Sequence, residues 1–130
     1  MLHYTESGRG KTIVLVHGFC ESQEIWKKTQ AALSAHYRVI CPDLPGFGKS
    51  PLKVKDISIA YYAEMIKELL AFLNVEKCCM IGHSLGGYIT LAFAEKYSAM
   101  LSSFGLFHST AFADSPEKKE NRNKTIQFIQ

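Results

Sequence analysis

The sequence G-H-S-L-G at residues 82–86 constrains this chain more than any other stretch, because few local structures accommodate it. A short apolar segment from residue 78 leads into it, and a helix-forming segment follows it to about residue 97. A strand, a sharp turn with serine at its apex and a helix are the context of a nucleophile elbow. We therefore predict no room for a side chain at Gly82 or Gly86. We also predict that the Ser84 hydroxyl stands at the carboxyl end of a sheet, where the first N–H groups of the helix can stabilise a negative oxygen.

Apolar runs alternate with amphipathic segments along the rest of the chain. Predicted strands cover residues 2–6, 12–16, 37–41, 78–82 and 101–107, and predicted helices cover 22–35, 56 or 58 to 73, 85–97 and 116–130. Apolar positions on two of these helices are Tyr62, Ile66, Leu69, Leu70 and Leu73, and then Ile126, Phe128 and Ile129. Strands that alternate with helices predict an α/β fold, with a mostly parallel sheet flanked by helices.

The composition is that of an ordinary globular protein, with 130 residues, 47% hydrophobic residues and a net charge of +3. This length suits one domain at most. Basic and acidic residues are interspersed, which predicts no nucleic-acid partner. No segment approaches the roughly 18 apolar residues of a membrane span, and the first residues have no apolar signal core.

Four cysteines, Cys20, Cys41, Cys78 and Cys79, lack the CxxC or Cys/His spacing of a zinc site. The adjacent pair lies in a predicted strand, so the two side chains face opposite sides of the sheet. We predict reduced, buried thiols in a cytoplasmic protein, with no metal and no cofactor.

Two further motifs precede the elbow. An aliphatic run ends in H-G-F at residues 17–19, and residues 43–50 form the loop DLPGFGKS. With these motifs in this order, the chain resembles the N-terminal half of a serine esterase or lipase-like member of the α/β-hydrolase fold family. The resemblance implies that Ser84 is the nucleophile and that the backbone N–H groups of Phe19 and Leu85 form the oxyanion hole. Serine at the apex disfavours the epoxide-hydrolase and dehalogenase branches, which place aspartate there.

The resemblance also implies an acid and then a histidine that follow Ser84 in the sequence. His108 is the histidine that follows, at the end of a predicted strand, and Asp114 lies just beyond the same strand. We regard these two as pocket residues and as candidate substitutes for the base and the acid. Glu95 lies in the body of a helix, so the expected triad does not close in this sequence.

Three other polar residues near the motifs have structural interpretations. His17 follows a strand and is expected to orient the oxyanion loop. His83 occupies the variable position of the elbow and is expected to be structural. Asp43 is expected to stabilise its own loop.

These observations predict a partial hydrolase. Residues 1–115 are interpreted as the N-terminal part of the α/β-hydrolase core, incomplete at its C-terminal end, and residues 116–130 as the start of a cap, lid or connecting helix. The strand at residues 101–107 then forms an open, apolar edge of the sheet. Such an edge predicts self-association with a second chain.

The leading hypothesis is a serine hydrolase of small carboxylic esters that works through an acyl-enzyme, with this chain inactive by itself. Apolar Phe19, Phe47 and Leu85 near the site suggest an apolar acyl or alcohol group. Two alternatives stay open. One is an enzyme of the same fold with C–C, thioester or haloperoxidase chemistry, and the other is a truncated binding module without catalysis.

Overall fold

The computed structural model describes residues 1–55 and 57–129, together with their side chains apart from those of residues 126, 128 and 129. Within this part of the chain the strands are β1 (Tyr4–Ser7), β2 (Thr12–Val16), β3 (Arg38–Pro42), β4 (Cys78–His83) and β5 (Leu101–Phe107). The α-helices there are α1 (Lys27–Leu33), α2 (Ile59–Phe72), α3 (Leu85–Tyr97) and α4 (Pro116–Ile129). Two short 3₁₀ turns, Gln23–Trp26 and Ser98–Met100, precede α1 and β5.

The strands form one sheet in the order β1-β3-β2-β4-β5. Pairing is parallel between β2 and β3, between β2 and β4, and between β4 and β5, whereas β1 runs antiparallel to β3. Helices connect the parallel strands, as crossover connections require. The predicted α/β class with a mostly parallel sheet is therefore confirmed.

The first strand begins later than residue 2 because neighbouring loops engage the backbone of His3. The His3 N–H donates to Ser50 Oγ at 2.8 Å, and the His3 carbonyl accepts the Asp43 N–H at 2.8 Å. Pairing with β3 therefore starts at Tyr4, opposite Pro42.

Two helix starts follow from capping serines. Ser22 Oγ accepts the Glu24 N–H, and the chain first forms a 3₁₀ turn before α1, which ends at Leu33 rather than at residue 35. Ser58 Oγ accepts the Tyr61 N–H at 3.0 Å and begins α2. The alternative cap at residue 56 lies outside the described residues, as do the side chains of residues 126, 128 and 129 in α4.

Alternate side chains of the strands build an apolar layer on each face of the sheet. On one face β2, β3 and β4 pack against α2 and α3 through Val14, Val16, Ile40, Met80, Ile66, Leu70, Ile89 and Phe93. On the other face Leu15, Val39 and Cys41 pack around Trp26. Strands buried on both faces explain the continuous apolar runs of the sequence.

The cysteines agree with the predicted alternation. Cys78 is buried and Cys79 is half-buried on the opposite face, and all four cysteines are free thiols. The prediction of buried thiols is wrong for Cys20, which is exposed because it lies in the loop after β2 rather than in a strand. Burial raises the pKa of Cys41 and Cys78 to about 12, so these thiols stay protonated and unreactive at neutral pH.

Strand β5 lies at one edge of the sheet, with Phe104 49% exposed and Phe107 48% exposed. This position agrees with the predicted open edge, and self-association through it stays a prediction. None of the helices in the described part of the chain is long and apolar enough to cross a membrane.

The close packing at the elbow predicts that alanine destabilises the protein far more at Gly82 than at Gly105, a glycine of the adjacent strand. A Cβ at Gly82 would lie well inside 3 Å of the Gly86 backbone, whereas a Cβ at Gly105, in the adjacent strand, would meet Ile81 Cγ1 at 3.7 Å. We expect Gly82→Ala to lower the free energy of unfolding by roughly 3 kcal/mol or more, because backbone has to shift. Gly105→Ala is the matched control and should stay within about 1 kcal/mol of wild type in urea titrations.

The open β5 edge predicts that the purified 130-residue chain forms dimers or larger species. Unpaired N–H and C=O groups along an edge strand bind a second strand, and the exposed Phe104 adds apolar surface. Phe104→Lys should shift the population toward monomer, because a charge on an edge strand opposes pairing. Light scattering after size-exclusion chromatography measures this directly, and a wild-type mass of 14.6 kDa at all concentrations would refute the prediction.

Candidate active site

Ser84 stands at the sharp turn between β4 and α3, in a backbone conformation that side-chain-bearing residues seldom adopt. Its φ and ψ are 51° and −112°, and its N–H donates to the Phe107 carbonyl at 3.0 Å. A Cβ at Gly86 would lie well inside 3 Å of the Val16 carbonyl oxygen, so the start of α3 lies directly against β2. The predicted lack of room at Gly82 and Gly86 is confirmed, and the turn leaves Ser84 exposed.

The loop after β2 lies beside Ser84. A Cβ placed on Gly18 would lie 3.2 Å from Ser84 Cβ, so this glycine allows the loop and the elbow to touch. The next residue, Phe19, is 62% exposed and packs its ring edge-to-face on Phe47 with centroids 5.7 Å apart. Among the described residues, no hydrogen-bond acceptor is found for the N–H groups of Phe19 and Leu85.

His17 fixes this loop from inside the core, in agreement with its predicted orienting role. It is fully buried; its Nε2 accepts the Leu44 N–H at 3.0 Å, and its Nδ1 lies 2.8 Å from the Gly18 carbonyl oxygen. Because Nε2 accepts, Nδ1 carries the proton and donates to Gly18. Burial lowers the pKa of His17 below its ordinary 6.5, although the bond to Gly18 opposes this, so the ring is neutral at pH 7.

Asp43 organises the loop after β3. Its Oδ1 accepts the Gln23 N–H at 2.8 Å, and its Oδ2 accepts the Lys49 N–H at 3.0 Å and lies 2.8 Å from His3 Nδ1. Burial alone raises the pKa of Asp43, but these hydrogen bonds outweigh it and hold the pKa below its usual value. The prediction that Asp43 stabilises its own loop is confirmed, and its partners extend to His3, just before β1, and to the turn before α1.

Glu21 is a residue near Ser84 that the sequence motifs did not single out. Its Oε2 accepts the Gly18 N–H at 2.6 Å and lies 2.9 Å from His83 Nδ1. The signal available in the sequence was an acidic residue three positions after Gly18, where a side chain can turn back onto the backbone. The contact with His83 is long-range, so no local pattern predicts it.

A polar cleft of about 350 Å³ opens above Ser84. Its lining includes Ser84, Tyr88, His108, Asp114, Lys118 and Arg122. His108 has a φ of 48° and stacks on Phe107, with ring centroids 4.3 Å apart. The predicted pocket residues His108 and Asp114 therefore lie in one cleft with Ser84, and α4 closes its far side through Lys118 and Arg122.

The cleft does not assemble a catalytic triad among the described residues. Asp114 Oδ2 accepts Arg122 Nε at 2.6 Å, and Tyr88 donates to Asp114 Oδ1 at 3.3 Å. The Arg122 guanidinium lowers the pKa of Asp114, so this carboxylate is charged and bound to groups other than histidine. Within the part of the chain that is described, no side chain accepts a hydrogen bond from Ser84 Oγ, and Glu95 is exposed on α3.

The described residues hold no group of three or more His, Cys, Asp and Glu side chains arranged to bind a metal ion.

Comparison with known proteins gave a consistent result. Residues 11–120 match a family model described as the alpha/beta hydrolase fold. The structure of a thermophilic esterase from Thermogutta terrifontis with malate bound superposes with a TM-score of 0.92 and 36% identity, over 98% of this chain and 47% of that one.

Two curated relatives have different activities in their names. A pimeloyl-(acyl-carrier protein) methyl ester esterase from Aeromonas salmonicida is 41% identical over 83 residues, which cover 63% of this chain and 31% of that protein. A soluble epoxide hydrolase from Corynebacterium is 34% identical over 93 residues, which cover 72% of this chain and 32% of that protein. The chain thus spans about a third of these relatives and about half of the esterase structure.

Buried, neutral His17 predicts a pH dependence of stability. Its pKa is lower in the folded than in the unfolded protein, so acid protonates the unfolded state first and favours unfolding. The contribution of His17 is complete above about pH 6.5 and is lost as the pH falls toward the folded pKa, with a slope of at most about 1.4 kcal/mol per pH unit.

Urea unfolding of a His17→Asn variant tests this. The free energy of unfolding of the variant should be lower at pH 7.5 by about 1–3 kcal/mol, because the hydrogen bonds of the ring to the Leu44 N–H and the Gly18 carbonyl are lost. Its free energy of unfolding should also change less with pH between pH 7 and 5. His36→Asn is the control, since His36 is exposed, and it should keep the wild-type profile. A His17→Asn profile as steep as that of wild type would contradict the assignment.

Proposed function

The chain belongs to the α/β-hydrolase fold family, and on that premise we propose that it carries the nucleophile of a serine hydrolase acting on small carboxylic esters. One observation carries the proposal. Ser84 occupies the apex of a strained strand-to-helix turn and is exposed in a polar cleft. The N–H groups of Phe19 and Leu85, on the two adjoining segments, have no acceptor in the described part of the chain. This combination serves acyl transfer, which needs an accessible hydroxyl beside donors for a developing negative oxygen.

In the proposed reaction Ser84 Oγ attacks the ester carbonyl carbon and its proton passes to a base. The carbonyl oxygen becomes negative and receives hydrogen bonds from the Phe19 and Leu85 N–H groups. The bond to the alcohol oxygen then breaks, the alcohol leaves with the proton, and an acyl-enzyme on Ser84 remains. Water attacks this ester, so that the acid is released and the serine is restored.

The base and its acid partner are part of the proposal. Because the chain spans about half or less of the relatives compared, we propose that the remaining part of such an enzyme supplies a histidine and an acid to Ser84. His108 and Asp114 then act as lining of the cleft. Ser84 Oγ is free to bind the imidazole of the proposed histidine, since the serine hydroxyl faces the cleft and makes no hydrogen bond to a described side chain.

The proposed substrate is an ester with a small apolar group. Phe19 is 62% exposed beside the serine, and Phe47 and Leu85 extend this apolar surface. Two of the relatives compared are named as esterases, which supports an ester substrate. The epoxide hydrolase relative carries less weight, because the apex residue here is serine and not the aspartate of that branch. Four free thiols, two of them fully buried, suit a reducing compartment, and we propose the cytoplasm.

Steady-state hydrolysis of p-nitrophenyl acetate and butyrate tests the role of Ser84, measured on the native polypeptide that contains this chain, which we term the full-length protein. We expect Ser84→Ala to lower kcat at least about 1,000-fold, because the nucleophile is removed. Ser102→Ala, at an exposed serine of β5, is the control and should keep the wild-type kcat.

Other outcomes identify the alternatives. Retention of more than a tenth of the wild-type kcat in Ser84→Ala would refute the assignment of the nucleophile. Faster turnover of thioesters or of C–C bonded diketones than of esters would replace ester hydrolysis by another chemistry of the same fold. A folded protein that turns over none of these would favour a binding module.

A further inference from the structure

We propose that Glu21 is a positioning residue that ties the Phe19 loop to the serine elbow through a single carboxylate oxygen. The inference rests on the proposed function, since it names the residue that holds one of the two oxyanion donors in place. Glu21 Oε2 accepts the Gly18 N–H at 2.6 Å and the His83 Nδ1–H at 2.9 Å. The first donor belongs to the loop, and the second belongs to the residue immediately before Ser84.

The direction of both bonds follows from the chemistry of the groups. A carboxylate only accepts, so His83 Nδ1 carries a proton in this contact whether the ring is neutral or charged. One oxygen has lone pairs for two donors, and a charged acceptor makes short, strong hydrogen bonds. Glu21 therefore links two segments that are 62 residues apart in sequence by the two bonds it accepts.

Gly18 shows how tightly this link is packed. A Cβ built on it would lie 2.8 Å from Glu21 Oε2, 3.1 Å from His83 Nδ1 and 3.2 Å from Ser84 Cβ. Three side chains thus surround a single Cα, and the peptide that follows carries the Phe19 N–H. Because the Gly18 N–H is bound to Glu21 and its carbonyl to His17, both ends of this residue are fixed.

The consequence concerns the Phe19 N–H. Its direction is set by the orientation of the peptide between Gly18 and Phe19, and two opposed bonds on Gly18 restrict that orientation. An N–H donor that already points at the substrate oxygen does not have to reorient when negative charge develops on that oxygen. Since the loop has Cys20 at a φ of 58°, its conformation depends on such tethers.

Kinetics of three variants in the full-length protein test the tether. Glu21→Ala removes the single oxygen that accepts both hydrogen bonds. We expect kcat for p-nitrophenyl butyrate to fall about 10- to 100-fold with KM within about threefold, because a misaligned N–H donor affects the transition state more than substrate binding. Glu21→Gln should stay within about threefold of wild type, since an amide oxygen can accept both bonds. Glu24→Ala is the matched control three residues further along the chain. Among the described residues, its exposed carboxylate is hydrogen-bonded only by the Gln23 side chain.

A transition-state analogue separates positioning from general loss of structure. Phenylboronic acid forms a tetrahedral adduct on an active serine, and its Ki should rise in Glu21→Ala by the same factor as kcat/KM falls. A kcat in Glu21→Ala within twofold of wild type would overturn the inference. So would a Ki that stays constant, or a Glu21→Gln variant as impaired as Glu21→Ala.

His83→Phe covers the case in which Glu21→Ala does not fold. The substitution removes one of the two donors and keeps a ring against Trp26 and Phe107. An intermediate loss of kcat supports the tether, and an unchanged kcat contradicts it.

Amide resonances give a readout that does not need turnover. In ¹H–¹⁵N spectra, Glu21→Ala should shift the Gly18, Phe19 and Leu85 resonances, while Glu24→Ala leaves them in place. Constant Phe19 and Leu85 resonances in a folded Glu21→Ala protein would refute the tether even if the protein hydrolyses no ester. Absence of Ser84-dependent turnover together with the expected shifts would instead refute the proposed function and support the tether.

Discussion

The close approach of the β4–α3 turn to β2 is the contact on which the rest of the structure depends. Gly86 lies against the carbonyl of Val16, and Gly82 lies against the backbone of Gly86, so neither position has space for a methyl group. This packing sets the start of α3, and through it the direction of its first N–H groups and the height of Ser84 above the sheet. A turn with larger residues would separate helix and strand, and the serine would lose its fixed place.

A second layer of polar contacts fixes the loops around that turn. His17 joins the loop after β2 to the loop after β3. Asp43 joins the loop after β3 to His3, just before β1, and to the turn before α1, and Glu21 joins the loop after β2 to the elbow. All three groups are bound to backbone N–H or C=O groups, and Asp43 and Glu21 each bind a histidine side chain as well. The candidate site is therefore held by several segments of the chain that converge at the carboxyl ends of β2, β3 and β4.

Much of this fold follows from local patterns in the sequence. The apolar run 12–16 predicts a buried strand, and the elbow predicts Ser84 at a strained turn, and the structure agrees with both. For the start of α2 the sequence offers residue 56 or Ser58 as the cap, and the structure has Ser58. Other features depend on contacts between distant residues. Local propensity predicted one helix after Ser22, whereas the Gln23 N–H is bound by Asp43 and a 3₁₀ turn forms first. The contact of Glu21 with His83 and the binding of Asp114 by Arg122 are likewise tertiary, so no periodicity reveals them.

The central claim is that Ser84 is an activated nucleophile, and labelling of the full-length protein with a fluorophosphonate tests it most directly. The reagent modifies a serine only where a base and oxyanion donors activate it. We predict a single adduct by intact mass, located at Ser84 by peptide mapping and absent from Ser84→Ala. A folded wild-type protein that stays unlabelled, or that is labelled at another serine, would contradict the claim.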